Sequence, residues 1–298
     1  MKTNKLLLVV IILSLGTFSY AQDDTLRVLL IGNSFSQNAT RYLNQIAEEG
    51  GFSLRIGRAE LGGCSLQRHW DSVAVNLQDT LRGRPYKGKS LQELLSNDKW
   101  DVITIQQFSL LSGDEKTYQP YANKLFEFIK TLQPQAEVVI HQTWPYRIDA
   151  KSFGKIDGEK RANSQKEMWK KSRTAYRKLA EDLGGLRIIP VGDAFYTVAI
   201  DKRWSFKADD NFDFQNPVQP QLPEELNSLN AGYSWKDGQL RFDPNHANEA
   251  GCYLAGLVWY GFLFQQNPEE ISFIPEEVPN DFAGHLKRIA AKTLKLAK

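Results

Sequence analysis

Short apolar runs that alternate with stretches of helical periodicity constrain the fold of this chain more than any other feature. Five runs have the composition of strands: residues 26–32, 52–58, 100–106, 136–141 and 186–191. Helical spacing recurs between them, at 42–47, 121–132 and 163–183. Near-continuous apolar strands separated by helices are typical of a parallel sheet that helices cover on both faces. The sequence therefore predicts a three-layer α/β/α domain around a parallel sheet of about five strands.

Two later segments differ from this pattern. Residues 246–265 are apolar almost all round but too short to cross a membrane, which predicts a helix buried against the sheet. Residues 201–240 are polar but dotted with aromatic side chains, and so long a loop inside a domain is usually functional or mobile. We expect one domain over 22–270 with an insertion at 201–240, followed by a helical tail at 271–298 that packs on it.

Residues 1–21 have the features of a targeting segment and are left out of the fold. Lys2 and Lys5 precede an apolar run, and Ser19 and Ala21 are small residues at the two positions that a signal peptidase reads. The run is shorter than the ~20 residues of a spanning helix, and no cysteine follows to accept a lipid. The segment predicts a cleaved secretory signal, and hence a secreted or periplasmic protein without a membrane span.

Charge and cysteine content exclude some classes of function. The chain has 37 Lys and Arg, two of them in the signal segment, against 35 Asp and Glu, so its remainder is formally neutral. Nucleic-acid-binding surfaces need a basic excess, so we expect no nucleic-acid partner. Cys64 and Cys252 are too few for a disulfide scaffold, and one disulfide or two buried thiols both fit the sequence. Oligomeric state is not indicated.

The end of the first apolar run places a serine where ligands usually bind. Ser34 follows Gly32 and Asn33 at the start of a predicted helix. In doubly wound sheets ligands bind at the carboxyl ends of strands, and a helix N-terminus offers free backbone N–H groups. The alternative is a serine that only caps the helix. Because a hydroxyl becomes a nucleophile only when a base removes its proton, chemistry at Ser34 requires a histidine and an orienting carboxylate.

Of the four histidines, His246 has the best-placed carboxylate partner. Asp243 lies three residues earlier, so one turn of chain lets it reach one ring nitrogen while the other faces the crevice. The alternative is Asp243 as a helix cap beside a histidine with satisfied hydrogen bonds. The other three are assigned to the crevice wall (His69), to the core or the crevice wall (His141) and to the polar side of the tail helix (His285).

Three sequence blocks resemble those of the SGNH or GDSL-type hydrolase superfamily: GNSFS at 32–36, LGGCSL at 61–66 and DPNH at 243–246. The match is closest to a branch whose first block reads GNSF, so that Asn33 replaces the usual acidic residue, and it spans roughly residues 26–265. The resemblance implies the flavodoxin-like SGNH hydrolase fold, with Ser34 as nucleophile, His246 as base and Asp243 as the residue that orients His246. It implies no metal and no cofactor.

The resemblance also implies an oxyanion hole built from backbone and side-chain donors. Its backbone donors are the N–H of Ser34 and that of Gly63 or Gly62. The superfamily usually adds an asparagine amide from its third block, where this chain has Gln106 and Gln107. A glutamine carries the same donors on a longer arm, and either of the two can supply them. Such donors typically contribute ~3 kcal/mol each to the transition state.

Two further motifs resemble known binding sites, the first in full sequence but not in context and the second only at its start. GRPYKGKS at 83–90 fits the phosphate-binding pattern GxxxxGKS, but a polar segment of helical rhythm precedes it, where that site has a buried strand. Asp209, Asn211 and Asp213 resemble the start of a calcium loop, but Phe214 stands where that loop needs glycine. We expect neither a nucleotide site nor a metal site.

These observations predict an exported serine esterase whose substrate is an ester-bearing small molecule or polysaccharide, with an acetylated or methyl-esterified glycan favoured. Trp204 and Trp235 of the aromatic insertion, together with His69 and His141, are predicted to line the substrate site. One alternative is a glycan-binding protein on a degenerate hydrolase scaffold, for which the glutamines at 106–107 argue. Another is a lipase or thioesterase in which the same aromatic side chains form an acyl channel.

Overall fold

The structure, a computed structural model, describes residues 25–297, so the signal segment predicted at 1–21 lies outside the described residues. Its strands are β1 (Leu26–Gly32), β2 (Leu54–Glu60), β3 (Val102–Ile105), β4 (Glu137–His141), β5 (Lys155–Asp157), β6 (Lys160–Arg161), β7 (Ile188–Ile189), β8 (Asn230–Lys236) and β9 (Gln239–Ala247). Its helices are α1 (Ser34–Ala39), α2 (Leu43–Glu49), α3 (Leu66–Gln78), α4 (Leu91–Ser96), α5 (Tyr121–Leu132), α6 (Gln165–Asp182), α7 (Val191–Ala199), α8 (Glu249–Phe264) and α9 (Asn280–Leu296).

The middle layer is a five-stranded parallel sheet with the order β2-β1-β3-β4-β7. This is the flavodoxin-like order, in which the first strand lies inside the sheet and the order of successive strands reverses beside it. The predicted fold is confirmed. The predicted strands agree with the observed ones to within a few residues, and the fifth is reduced to Ile188–Ile189 at the sheet edge. Crevices in such sheets open at the carboxyl end of β1, beside the switch point.

Both faces of the sheet are buried, which explains why β1 is apolar at successive positions. Val28 and Leu30 belong to a core cluster with α1, α2, α7, α8 and α9. Leu29 and Ile31 belong to a second cluster with α3, α4, α5 and α6. Since successive side chains of a strand point to opposite faces, each layer of helices takes every second residue of β1.

The apolar helix predicted near the C-terminus is α8, which is buried along almost its whole length. It packs on α1, α2 and α7 and is covered by α9, the predicted tail helix. Asn248 begins α8 by accepting a hydrogen bond from the Gly251 N–H. Among the described residues, no helix has the length and apolar character needed to cross a membrane.

The prediction that 201–240 is an irregular insertion is wrong for its last third. β8 and β9 pair as an antiparallel hairpin outside the main sheet, with Lys236 opposite Gln239. Asp237 and Gly238 form the two-residue turn with φ values of 52° and 69°. Turns of this kind need φ above zero at both residues and favour Asp-Gly. The hairpin matters for function because β9 carries both Asp243 and His246.

Candidate active site

Ser34 is the first residue of α1, directly beyond the end of β1. Asn33 caps the helix, and its side chain accepts a hydrogen bond from the Phe35 N–H. Gly32 cannot be replaced without movement, because a Cβ there would lie 2.5 Å from the hydroxyl of Ser36. Within residues 25–297 the Ser34 N–H donates to no acceptor. The strand therefore ends by presenting a half-buried hydroxyl beside a free backbone donor.

Ser34, His246 and Asp243 are brought together as the sequence predicts. His246 Nε2 lies 2.9 Å from Ser34 Oγ, and His246 Nδ1 lies 2.7 Å from Asp243 Oδ2. A carboxylate can only accept, so the proton of the neutral imidazole is on Nδ1 and Nε2 is free to accept from the serine hydroxyl. This is the arrangement that activates a hydroxyl for nucleophilic attack.

Electrostatics in the trio favour a charged Asp243 and a basic His246. Partial burial works to raise the pKa of the Asp243 carboxyl, but hydrogen bonds from His246 and from the backbone N–H of Asn245 outweigh burial and hold that pKa below its usual range. The hydrogen bond to Asp243 raises the pKa of His246, although burial opposes the shift. Asp243 therefore stays ionised, and it strengthens His246 as a base.

The segment that follows β4 fixes the backbone between Asp243 and His246. The indole N–H of Trp144 donates to the Asn245 carbonyl over 2.8 Å, and the Arg147 N–H donates to the Pro244 carbonyl over 2.9 Å. These are the two residues between the carboxylate and the imidazole. Because β9 is not bonded to the main sheet, these contacts set where the hairpin places the imidazole.

Helix α1 holds the same hairpin from the serine side. The Phe35 ring stacks on Trp144 with centroids 4.2 Å apart and lies 6.1 Å from the His246 ring. The Ala247 N–H donates to Asn38 Oδ1 over 3.1 Å. Helix α1 therefore begins with Ser34 and also binds Ala247, the residue after His246. This contact helps to fix the position of His246 relative to Ser34.

A buried arginine anchors the hairpin to the loop after β4. The side chain of Arg147 is 2% exposed and is paired with Asp149 and Glu225. Its guanidinium lies over the rings of Phe206 and Phe242, 4.1 and 4.7 Å from their centroids. Guanidinium groups stack on aromatic faces and bind carboxylates with several donors, so one side chain joins the insertion, the hairpin and the loop.

Two glycines beyond β2 present further free backbone donors. Gly62 and Gly63 are the central residues of a turn closed by the Cys64 N–H on the Leu61 carbonyl, and Gly63 has φ +58°. The Leu61 N–H donates to the Gly32 carbonyl over 3.2 Å, which fastens the turn to the end of β1. Both glycines are exposed, and within the described chain their N–H groups donate to no acceptor.

The prediction that Gln106 or Gln107 supplies a side-chain amide to the oxyanion hole is wrong for both residues. Gln106 is buried, and its amide N–H donates to Asn33 Oδ1 over 2.7 Å. Gln107 is also buried, with its amide N–H on Thr117 and its amide oxygen accepting from the Leu66 N–H. The longer glutamine arm lets each amide reach a partner inside the protein, so neither faces Ser34.

His69 and His141 are core residues, which corrects their predicted place on the crevice wall. His69 is fully buried, with Nε2 donating to the Gly32 carbonyl and Nδ1 accepting from the Tyr86 hydroxyl. His141 is fully buried, with Nδ1 2.7 Å from Gln106 Oε1. Burial lowers the pKa of His69 to about 4 and that of His141 to about 3. Both rings are therefore neutral donors that shape the strand ends from inside.

Trp204 and Trp235 are held by partners outside the trio. Trp204 stacks on His285 of α9, with centroids 5.3 Å apart, and His285 is itself buried rather than on the polar side of the tail helix. Trp235 donates its indole N–H to the Gln221 carbonyl near the tip of the hairpin. Among the described residues, neither ring contacts a member of the trio. Trp204 is thus used in packing, and Trp235 in a hydrogen bond within the insertion.

Metal-ligating and cysteine side chains form no further centre in the described part of the chain. Within residues 25–297, no group of three or more His, Cys, Asp or Glu side chains could hold a metal ion. Cys64 and Cys252 are both buried and unpaired, and burial raises the pKa of each thiol to about 12. Such thiols are inert as nucleophiles.

Comparison with known proteins identifies one family. A model described as "Domain of unknown function (DUF4886)" matches residues 27–215, more than half of the chain. No curated protein matches. Among solved structures, a DUF4886 family protein from Bacteroides uniformis is similar at 24% identity and a TM-score of 0.67, covering 91% of this chain and 95% of that chain. That likeness shows a shared fold.

Two more distant structures have names that include a reaction. A putative GDSL-like lipase from Parabacteroides merdae is similar at 12% identity and a TM-score of 0.47, covering 81% of this chain and 96% of that one. An acetyl xylan esterase from Geobacillus stearothermophilus is similar at 10% identity and a TM-score of 0.36, covering 58% and 79%. At these values the function of the chain has to be argued from its own residues.

Proposed function

The chain belongs to the DUF4886 family, and from that premise we propose that it is a serine esterase with Ser34 as nucleophile, His246 as base and Asp243 as the residue that orients the base. One observation carries the proposal: His246 Nε2 lies 2.9 Å from Ser34 Oγ while its Nδ1 is hydrogen-bonded to Asp243. A serine that merely caps a helix has no need of a histidine with a fixed tautomer.

The positions of the protons in the trio determine the order of the proposed reaction steps. Ser34 Oγ attacks the ester carbonyl carbon as its proton passes to His246 Nε2, and the carbonyl oxygen becomes an oxyanion. We assign the oxyanion to the free N–H groups of Ser34, Gly62 and Gly63. The intermediate collapses when His246 returns the proton to the leaving alcohol, which leaves an acyl group on Ser34. Water then attacks that acyl group by the same route and releases the acid.

The openness of the site supports a small ester group on a large carrier rather than an ester of a long acyl chain. The side chains of His246 and Asp243 are 38% and 40% exposed, so the trio lies at the surface of the protein. A polymer can lie across such a site, whereas a long acyl chain needs an apolar channel. We infer an acetyl or methyl ester on a glycan as the substrate class, and the export of the enzyme to such a substrate rests on the signal predicted at 1–21. Of the aromatic side chains that would form a lipase channel, Phe206 and Tyr233 pack on Arg147 and Trp204 packs on α9.

The first test is hydrolysis of p-nitrophenyl acetate by residues 22–298. Ser34→Ala should abolish activity, because it removes the nucleophile. Ser36→Ala is the matched control, since this second serine of GNSFS bonds Glu60 and the Asn33 carbonyl and not His246. It should retain turnover despite lower stability. Equal activity of Ser34→Ala and the unmodified chain would contradict the proposal.

Substrate class is tested separately. Rates on p-nitrophenyl esters from acetate to octanoate should fall with chain length, and acetate or methanol should be released from acetylated or methyl-esterified polysaccharides. A preference for octanoate would contradict the glycan-esterase proposal and favour a lipase. It would not affect the assignment of the catalytic trio.

A further inference from the structure

Asn33 joins the two elements that supply the free backbone donors. Its Nδ2 donates to the Cys64 carbonyl over 3.0 Å, at the end of the glycine turn, and its Oδ1 accepts from the Phe35 N–H over 3.0 Å, in the first turn of α1. The residue is completely buried. From these contacts we propose that Asn33 is the positioning residue of the oxyanion hole, and that Gln106 and His141 hold its amide. The assignment rests on the proposed esterase function.

The chemistry of the groups around Asn33 fixes the direction of each of its hydrogen bonds. The Cys64 carbonyl can only accept and the Phe35 N–H can only donate, so Asn33 must turn its NH₂ to the first and its oxygen to the second. A side chain that meets Asn33 Oδ1 must then be a donor, which sets the orientation of the Gln106 amide.

The same logic continues into the core. The oxygen of Gln106 lies 2.7 Å from His141 Nδ1, so that nitrogen carries the proton of the neutral ring. Three hydrogen bonds therefore run in one direction, from His141 through Gln106 and Asn33 to the Cys64 carbonyl. Aligned hydrogen bonds polarise one another, and the amides of Asn33 and Gln106 each donate and accept, which makes both side chains rigid.

Rigidity matters here because the oxyanion donors come from two separate parts of the chain. The Ser34 N–H belongs to α1, and those of Gly62 and Gly63 belong to an exposed turn on a different strand end. Oxyanion stabilisation depends on donors held in place before the reaction, and a displacement of about 1 Å can cost ~10²-fold in rate. An aspartate at position 33 accepts from the Phe35 N–H but cannot donate to the Cys64 carbonyl, which accounts for an asparagine beside the serine.

The test is Asn33→Asp, which keeps the size of the side chain and replaces its donating NH₂ by a carboxylate oxygen. We expect kcat for p-nitrophenyl acetate to fall roughly 10- to 100-fold with a nearly unchanged KM. The inhibition constant of phenylboronic acid, which forms a tetrahedral adduct with a reactive serine, should rise by a similar factor. A smaller folded fraction lowers apparent kcat but does not change that constant, so the two readouts together separate positioning from stability.

Asn76→Asp is the matched control. Asn76 is 4% exposed in α3, and its amide donates to the Thr80 and Arg82 carbonyls, so the variant makes the same chemical change away from the site. It should lower the melting temperature and leave the boronate constant unchanged. If Asn33→Asp does not fold, Gln106→Glu provides the second variant, because it removes the donor to Asn33 and should shift kcat and the boronate constant in the same direction.

The outcomes separate this assignment from the proposed function. Unchanged kcat and boronate affinity in Asn33→Asp, with Ser34→Ala inactive, would overturn the positioning role and leave the esterase standing. Equal boronate effects of Asn33→Asp and Asn76→Asp would also overturn it. An unmodified chain without esterase activity would overturn both.

Discussion

His246 Nε2 lies 2.9 Å from Ser34 Oγ, although 212 residues separate the two along the chain. The hydroxyl comes from the end of the central strand β1, and the imidazole comes from a hairpin that does not belong to the main sheet. The proposed catalysis therefore depends on the contacts that fix the hairpin as well as on the trio itself.

The pH dependence of the reaction reports the pKa of His246. The base must be neutral to accept the serine proton, so kcat/KM should be low in acid and rise as pH increases through the pKa of His246. Asp243 raises this pKa, which places the half-maximal rate above the ordinary histidine value of about 6.5. The measurement is kcat/KM for p-nitrophenyl acetate from acid to mild alkali. A half-maximal rate well below the ordinary value would contradict the geometry.

Asp243→Asn should change both the size and the pH dependence of the rate. The amide cannot stabilise the charged imidazolium, so turnover should fall by roughly 10³- to 10⁴-fold. With the carboxylate gone, burial is the remaining influence on the pKa of His246 and lowers it, so the acid limb of the remaining activity should move to lower pH. A variant whose acid limb stays in place would show that Asp243 does not control His246.

Gln107→Glu tests whether the glutamines take part in the reaction. The variant removes the amide donor to Thr117 and keeps the oxygen that accepts from the Leu66 N–H. We expect kcat to stay near that of the unmodified chain and the free energy of unfolding to fall by about 1–3 kcal/mol, as for a lost buried hydrogen bond. A decrease in kcat of about 10²-fold at unchanged stability would instead show that Gln107 contributes to the oxyanion hole.

Arg147→Met tests the anchor of the hairpin. It leaves the largely buried carboxylate of Glu225 without its partner, which should cost about 3–5 kcal/mol in the free energy of unfolding measured with urea. Combining it with Glu225→Gln should restore part of that loss, because the uncompensated charge is removed.

The control for the anchor is Lys178→Met, which breaks the exposed pair with Asp182 on α6. Exposed pairs on helices contribute little, so the urea midpoint of this variant should stay close to that of the unmodified chain. Equal midpoints for Arg147→Met and Lys178→Met would show that the hairpin is held by other contacts.

The sheet and the Asp243–His246 pair were predictable because each leaves a local signal. A strand buried on both faces must be apolar at successive positions, and Leu29 and Leu30 of β1 face opposite helix layers. Asp243 and His246 are three residues apart, so their contact depends only on local geometry. The hairpin that carries them also left a signal, Asp237-Gly238, which the polar composition of the insertion concealed.

The partners of buried polar side chains were not predictable from the same sequence. Gln106 bonds residues on two neighbouring strand ends, and His69 bonds a carbonyl 37 residues away. These choices depend on distances between elements that periodicity does not report. A glutamine or a histidine near a strand end suggests a functional residue, whereas the burial of Gln106 and His69 gives them structural roles. In the sequence Asn33 is distinguished only by its departure from a motif, because its donor and acceptor roles depend on the positions of Cys64 and Phe35 in the fold.

Covalent labelling of the nucleophile tests the central claim most directly. Residues 22–298 would be incubated with a fluorophosphonate, which phosphonylates serines activated by a neighbouring base, and the adduct located by intact-mass and peptide mass spectrometry. The account predicts a single adduct on Ser34, absent from Ser34→Ala and strongly slowed in His246→Ala. No adduct on the folded protein, or an adduct on another residue that persists in Ser34→Ala, would contradict it.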